Sequence, residues 1–339
     1  MSDSKVPFAL DGDLMSRVPN AKLPRVAREF YDLALNHSQF NRALEALNKT
    51  HAMSGIMGCG MILDGDPGLG KTTALNVYVR SIYDQECYQP TDTLTPLPVL
   101  KIRLPGRPTI PRVIEKLLLT SNHLLPTSRK SQTLEHRLHQ LITRQQVEMI
   151  IFDEYQHLLR KHAQITTNDT VNFIKVLADD YKLAIVFAGL PEGREILSHF
   201  PELNERMSFE TARLTAFNIE SSQATQEYAR YIIGIQEHLD RIGVKICSLA
   251  DQGMLIRILL ATQGSPRFIN RLFMRLLMRL GDQKSITIKE FEQEYSSPIF
   301  GGHLGLFNPF SATDEAVLEK LNELKAGRNS KHSKIVTKK

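Results

Sequence analysis

The chain has 339 residues, 42% of them apolar, with 42 Lys and Arg against 37 Asp and Glu, which suits one large domain plus a smaller one. No apolar run approaches the roughly 20 residues that a bilayer span needs, and no basic-then-apolar leader opens the chain, so a cytoplasmic protein with no membrane partner is expected. Cys59, Cys87 and Cys247 lie far apart with no C-x-x-C spacing; they point to neither a disulfide framework nor a zinc site and read as small buried hydrophobes.

Residues 1–54 form an N-terminal extension. Pro7, Pro19 and Pro24 precede helical periodicity from Arg25 to about Leu47, carried by Phe30, Leu33, Phe40, Leu44 and Leu47. One or two helices are expected, packed on the following domain or serving as a partner-binding arm. The apolar run from Cys59 to Leu63 then leads into Gly65, Asp66, Pro67, Gly68, Leu69, Gly70, Lys71, Thr72 and Thr73, followed by an apolar-periodic segment through Tyr83. Strand, glycine loop and helix in this order, with the spacing G-x-x-x-x-G-K-S/T, make a P-loop. Glycines let the backbone curl with its N–H groups turned inward, so that loop and helix N-terminus form an anion site. Lys71 reaches the β- and γ-phosphates in such a loop, and the Thr72 hydroxyl is a ligand for Mg²⁺.

Val99 to Leu104 reads as a second strand, and Thr109 with Pro111 as the cap and first turn of a helix through Leu119. A Ser/Thr-rich linker leads to a helix from Ser131 to Arg144. Val147 to Phe152 is a third strand, ending on Asp153 and Glu154. A helix from an Asn168 cap to Asp180 follows, then strands at Leu183 to Phe187 and Phe209 to Leu214. Apolar strands alternating with helices belong to a parallel sheet covered on both faces. From Ser221 onward the periodicity is helical only, with segments at Met254 to Leu260 and Pro266 to Leu280. The expected domains are therefore an α/β unit over 55–218 and a small all-helical one over 219–295. Residues 296–339 carry Gly301 and Gly302, Phe307 to Phe310, a short amphipathic helix and a basic tail.

Asp153 and Glu154 at the end of an apolar strand, downstream of the P-loop, fit a Walker B pair. Asp153 would hold Mg²⁺ through its water shell, and Glu154 would orient and polarise the attacking water. Charge spreading onto the γ-phosphate asks for a cation, and two arginines are candidates. Arg206 stands just before the fifth strand, where it could project to a neighbouring subunit; Arg267, in Gly264-Ser-Pro-Arg267, opens a helix of the second domain. Between Lys101 and Lys130, seven Lys and Arg stand against the single acid Glu115. Such an excess suits phosphate-backbone binding, with Arg103, Arg107, Arg112 and Lys130 as the candidate DNA contacts and a solvated helix face as the other reading. Arg271, Arg275 and Arg279 continue the spacing of Arg267 and read as a solvated face.

Gly65 to Thr72, Asp153 and Glu154, Arg206 before the last core strand and Gly-Ser-Pro-Arg267 together resemble the AAA+ ATPases over about residues 55–280. The fold class implied is α/β: an AAA+ P-loop NTPase with a five-stranded parallel sheet between helices, followed by a helical lid domain. Val186 to Glu192, Phe200 to Arg206 and Phe307 to Phe310 look like the TniB/TnsC group of transposition regulators within that superfamily, similar in fold to replication-initiator ATPases. The resemblance implies ATP and Mg²⁺ as cofactors and a homo-oligomer, ring or helical filament, on duplex DNA. It further implies that this assembly links a target-selection protein to a transposase, with the C-terminal segment as one contact, and is disassembled by ATP hydrolysis. Many AAA+ proteins carry a polar residue at the tip of strand four to position water, but this chain has Ala188, Gly189 and Leu190. A slow switch, or a nucleotide-binding scaffold with little hydrolysis, is then expected rather than a motor. A guanine-recognition motif is absent after the acid pair, which argues against a GTPase, and the helical second domain argues against a small-molecule kinase.

Overall fold

The computed structural model describes residues 24–31, 37–91, 94–121, 131–158, 164–280, 285–297 and 304–336, the last to 326 for side chains. In chain order the helices are α1 (Arg25–Tyr31), α2 (Ser38–His51), α3 (Lys71–Tyr83), α4 (Ile110–Thr120), α5 (Ser131–Arg144), α6 (Gln164–Tyr181), α7 (Glu195–His199), α8 (Pro201–Met207), α9 (Ser222–Arg241), α10 (Gln252–Thr262), α11 (Pro266–Leu280), α12 (Ile288–Tyr295) and α13 (Asp314–Val336). The strands are β1 (Cys59–Gly65), β2 (Val99–Arg103), β3 (Met149–Asp153), β4 (Ala184–Gly189), β5 (Glu210–Leu214), β6 (Lys245–Ile246) and β7 (Ser285–Ile286).

The described chain divides into two compact units. In the first, which holds 38–215, five parallel strands run in the order β2-β3-β4-β1-β5. β1, β3 and β4 are buried along their whole length, as their unbroken apolar sequences require of strands covered by helices. Ile62, Ile150, Phe152, Ile185 and Phe187 join Val113, Leu117 and Ile174 from α4 and α6 in one core. The order brings the two motif strands to either side of β4. Asp64 of β1 pairs in register with Gly189, and Asp153 of β3 with Ala188, so the P-loop and the acid pair leave the sheet at the same edge.

The two helices before β1 divide between the units: α2 packs on β5 and β1, whereas α1 packs on α11 of the second unit. The second unit, which also holds the chain from Ala216, is helical apart from the short parallel pair of β6 and β7. Its core gathers Phe30, Tyr228, Ile232, Leu272, Phe273 and Phe291. Ser221 caps α9, its hydroxyl accepting the Ala224 N–H at 3.1 Å, as the change of periodicity there anticipates.

Four local readings change. α6 starts at Gln164, so Asn168 lies inside it rather than capping it. Thr109 is the extended residue before α4 with Pro111 in the first turn, but its hydroxyl makes no cap bond. α13 is no short helix: it runs 23 residues into the basic tail. Cys87 is exposed, while Cys59 is buried and Cys247 half-buried.

Candidate active site

The loop between β1 and α3 is shaped by backbone that only glycine adopts freely: Gly68 has φ 86° and Gly70 has φ 96°. Gly65 is needed for another reason, since a Cβ there would strike the Leu214 carbonyl of β5. Lys71, the first residue of α3, donates its ammonium to the Gly65 carbonyl and, at 2.9 Å, to that of Asp66. The lysine head is thereby held inside the curve of the loop. The first amides of α3 open toward the same space, where an anion meets N–H groups and the positive end of the helix dipole.

Across the sheet edge the Thr72 hydroxyl lies 3.5 Å from Asp153 Oδ2. A hydroxyl and a carboxylate this close, at the rim of an anion loop, are the oxygen pair that a small hard cation with a water shell takes. Asp153 is buried, and burial pushes its carboxyl above the ordinary range, opposed by the nearby ammonium of Lys101. Lys101 belongs to the basic stretch as the sequence is read, but it turns inward, donating to Asn76 Oδ1 of α3. Only register places it there: Lys101 lies beside Ile151, two residues before Asp153.

Glu154 has φ 61°, a left-handed backbone unusual outside glycine. Strain of this kind costs on the order of 1–3 kcal/mol and persists where surrounding contacts dictate it. Here its own N–H donates to Asp153 Oδ1 at 2.9 Å, and its carboxylate meets Arg103 Nη2 at 3.6 Å and the Gln156 amide.

Two further arginines stand at this edge and were missed in the sequence. Fully buried Asp64, one residue before the loop, pairs with Arg194 from the turn after β4, and Arg213 of β5 approaches it at 3.9 Å. A buried carboxylate without its guanidinium would cost several kcal/mol. An acid inside an otherwise apolar strand was the available signal.

The structure does not bring Arg206 to this loop. Arg206, at the end of α8, forms a fork on Asp179, with Nε and Nη2 each donating at 2.8 Å. Its neighbour Met207 packs on Gly60, about 17 Å down β1 from Gly65 at the usual rise per residue. Arg206 therefore lies at the wrong end of the strand for its own chain's loop. Arg267 belongs to the second unit and is exposed in the first turn of α11. Gly264 in that motif has φ 69°, and a Cβ there would strike the Phe217 carbonyl. Arg275 and Arg279, expected on a solvated face, instead flank buried Glu294, and Arg271 lies over the Phe268 ring. Arg103, Arg107 and Arg112 are exposed, and Lys130 lies outside the described residues.

The five-stranded order, the P-loop at the end of β1, the acid pair on β3 and the helical second unit define the AAA+ class of P-loop ATPase folds. Likeness to solved chains agrees. A chain of the Drosophila ORC bound to DNA superposes with TM-score 0.55 at 12% identity over 81% of this chain and 65% of that one, so less than two thirds of that chain is spanned. The Aeropyrum pernix ORC2 protein, in its ADPNP-ADP complexes, gives 0.57 at 12% identity over 80% and 71%. Among sequences, a Staphylococcus aureus protein described as a potential ATP-binding protein is 23% identical over 252 residues, 70% of this chain and 87% of that protein. The chain belongs to the TniB family: the family model described as bacterial TniB protein matches residues 25–218.

Proposed function

We propose that this protein is an ATP-dependent switch that assembles on duplex DNA and regulates transposition. The observation that carries the reading is the approach of Thr72 to Asp153 at 3.5 Å across the mouth of the glycine loop, with Glu154 directly after it. Gly65 to Thr73 bind the ATP phosphates through backbone N–H groups and the Lys71 ammonium. Thr72 and Asp153 would hold Mg²⁺, which would supply charge neutralisation on the transferred phosphoryl group. Glu154 takes a proton from the attacking water as its oxygen bonds to the γ-phosphorus, and the bond to the β,γ-bridging oxygen breaks to leave ADP and phosphate.

Arg206 acts on the nucleotide of a neighbouring copy once it exchanges Asp179 for phosphate oxygens, which makes ATP the joint of a homo-oligomer, ring or helical filament. Arg267 closes on the nucleotide from the second unit of its own chain. Arg103, Arg107, Arg112 and Lys130 contact the DNA backbone without sequence preference. The assembly couples a target-selection protein to a transposase, and hydrolysis releases it. Membership of the TniB family and the likeness to a DNA-bound ORC chain support this reading.

A scaffold that holds ATP and scarcely hydrolyses it is the second reading, favoured by the apolar tip of β4 at Ala188 and Gly189. Negative-stain microscopy with duplex DNA in ATP, ADP or a non-hydrolysable analogue tests both. ATP-dependent oligomers on DNA that persist with the analogue and disperse as ATP is consumed are expected; a monomer in every condition sinks the switch.

A further inference from the structure

The tip of β4 has no polar side chain of its own, yet the space beyond Gly189 is filled by one. Gln156 sits in the 3-10 turn Tyr155–Leu158 that follows the acid pair. Its Oε1 accepts the Leu190 N–H at 3.1 Å, and its Nε2 donates to Glu154 Oε2. A Cβ added to Gly189 would overlap Gln156 Oε1 and come 2.8 Å from the Tyr155 ring. Glycine at the strand tip is thus the condition for the amide to enter.

Donor and acceptor logic sets the orientation of that amide. A backbone N–H can only donate, so the carboxamide oxygen must face Leu190. The NH₂ group then points at the Glu154 carboxylate, its natural acceptor. The turn itself is packed on both sides. Tyr155 is fully buried and stacks on Phe187 with centroids 5.5 Å apart and ring planes 6° from parallel. His157 Nδ1 meets the Leu104 carbonyl at 3.0 Å. By register the amide lies between the two motif strands, since Gly189 pairs with Asp64 on one side and Ala188 with Asp153 on the other.

We infer that Gln156 is the positioning residue for ATP hydrolysis in this chain. It replaces, from the turn after β3, the polar group that the tip of β4 lacks. One amide N–H holds the Glu154 carboxylate in the orientation that receives the water's proton, and the second is available to the water itself. The inference rests on the reading of Glu154 as the group that activates water, and it removes the main argument for a non-hydrolysing scaffold.

Two variants of the full chain test it. Gln156→Glu keeps the shape and the acceptor for Leu190 N–H but loses the donor toward Glu154; Gln156→Ala loses both. Steady-state hydrolysis with duplex DNA gives kcat and KM, and a fluorescent ATP analogue gives nucleotide affinity. Both variants should lose about 10- to 100-fold in kcat, with affinity within about twofold of the unsubstituted protein, since uniform binding is untouched. A Gln156→Glu protein with unsubstituted kcat overturns the inference, because the side chain is then only a tie to β4. Should Gln156→Ala fail to fold, the near-isosteric variant decides. Turnover that Glu154→Gln abolishes while both Gln156 variants keep it overturns this inference alone. ATP binding without turnover in the unsubstituted protein overturns the Glu154 reading and this one with it.

Discussion

At the scale of single residues the site separates holding from chemistry. Lys71 lies inside the loop and Glu154 directly after Asp153, so their losses should differ in kind. Lys71→Ala should abolish ATP-dependent DNA binding, measured as DNA affinity with and without ATP; affinity that still rises with ATP would remove Lys71 from its role. Glu154→Gln should lower kcat by about 10²- to 10⁴-fold with ATP affinity retained, and should lengthen the lifetime of the oligomer on DNA. A variant that no longer binds ATP would count against that assignment. Lys101 shows why charge counted along a sequence misleads: its ammonium bonds Asn76 and stands near Asp153.

Elements carry these residues, and their packing can be tested apart from catalysis. The 3-10 turn with Tyr155 fits because Gly193 leaves room, a Cβ there overlapping the ring. Gly193→Ala should cost about 1–3 kcal/mol by overpacking, read by denaturant unfolding, and should lower turnover by displacing the turn that holds Gln156. Directly before β3, Glu148 joins three elements. Tyr88 donates to its carboxylate at 2.6 Å, and His51 Nε2 of α2 lies 3.0 Å away. Burial pushes the Glu148 carboxyl up, but the adjacent His51 ring and the Tyr88 hydroxyl outweigh it and hold the group below its ordinary value. A carboxyl depressed on folding contributes stability that is complete above its unfolded pKa and lost as pH falls through the folded value. Glu148→Gln should therefore be less stable than the unsubstituted chain at pH 7, with the gap closing below about pH 4. A gap that stays constant from pH 7 to 3 in thermal unfolding would deny the linkage.

For the whole molecule, the exposed Arg103, Arg107 and Arg112 lie on β2, the segment after it and the first turn of α4. If they hold phosphates, each Ala substitution should weaken duplex binding equally for all sequences and reduce the slope of log affinity against log salt by about 1. Unchanged slopes would return them to a solvated face. The C-terminal segment is anchored more firmly than its sequence suggests. Buried Arg257 donates to the Pro309 and Ala312 carbonyls and to Asp314, and Phe310 packs 5.1 Å from the Phe291 ring. Arg257→Ala should cost about 3 kcal/mol in denaturant unfolding, because it leaves one buried and one half-buried carbonyl without a donor.

What the amino-acid sequence determined alone is local. The P-loop could be read from its spacing, β1, β3 and β4 from their apolar runs, and α5 and α11 to their ends, because propensity, caps and glycine freedom act within a few residues. The acid pair was legible for the same reason. Tertiary structure decided what depends on register and on partners far along the chain. Parallel pairing across β3, β4 and β1 turns Gln156 from an unremarked turn residue into the polar group at a strand tip. The same pairing sets Lys101 beside Asp153 and buries Asp64 against Arg194. Arg206 stands just before β5 in the sequence, but its fork on Asp179, at the far end of β1 from the loop, follows only from how α8 packs on the sheet. Side-chain chemistry is written one residue at a time, whereas the distance between two side chains is set by every strand that lies between them.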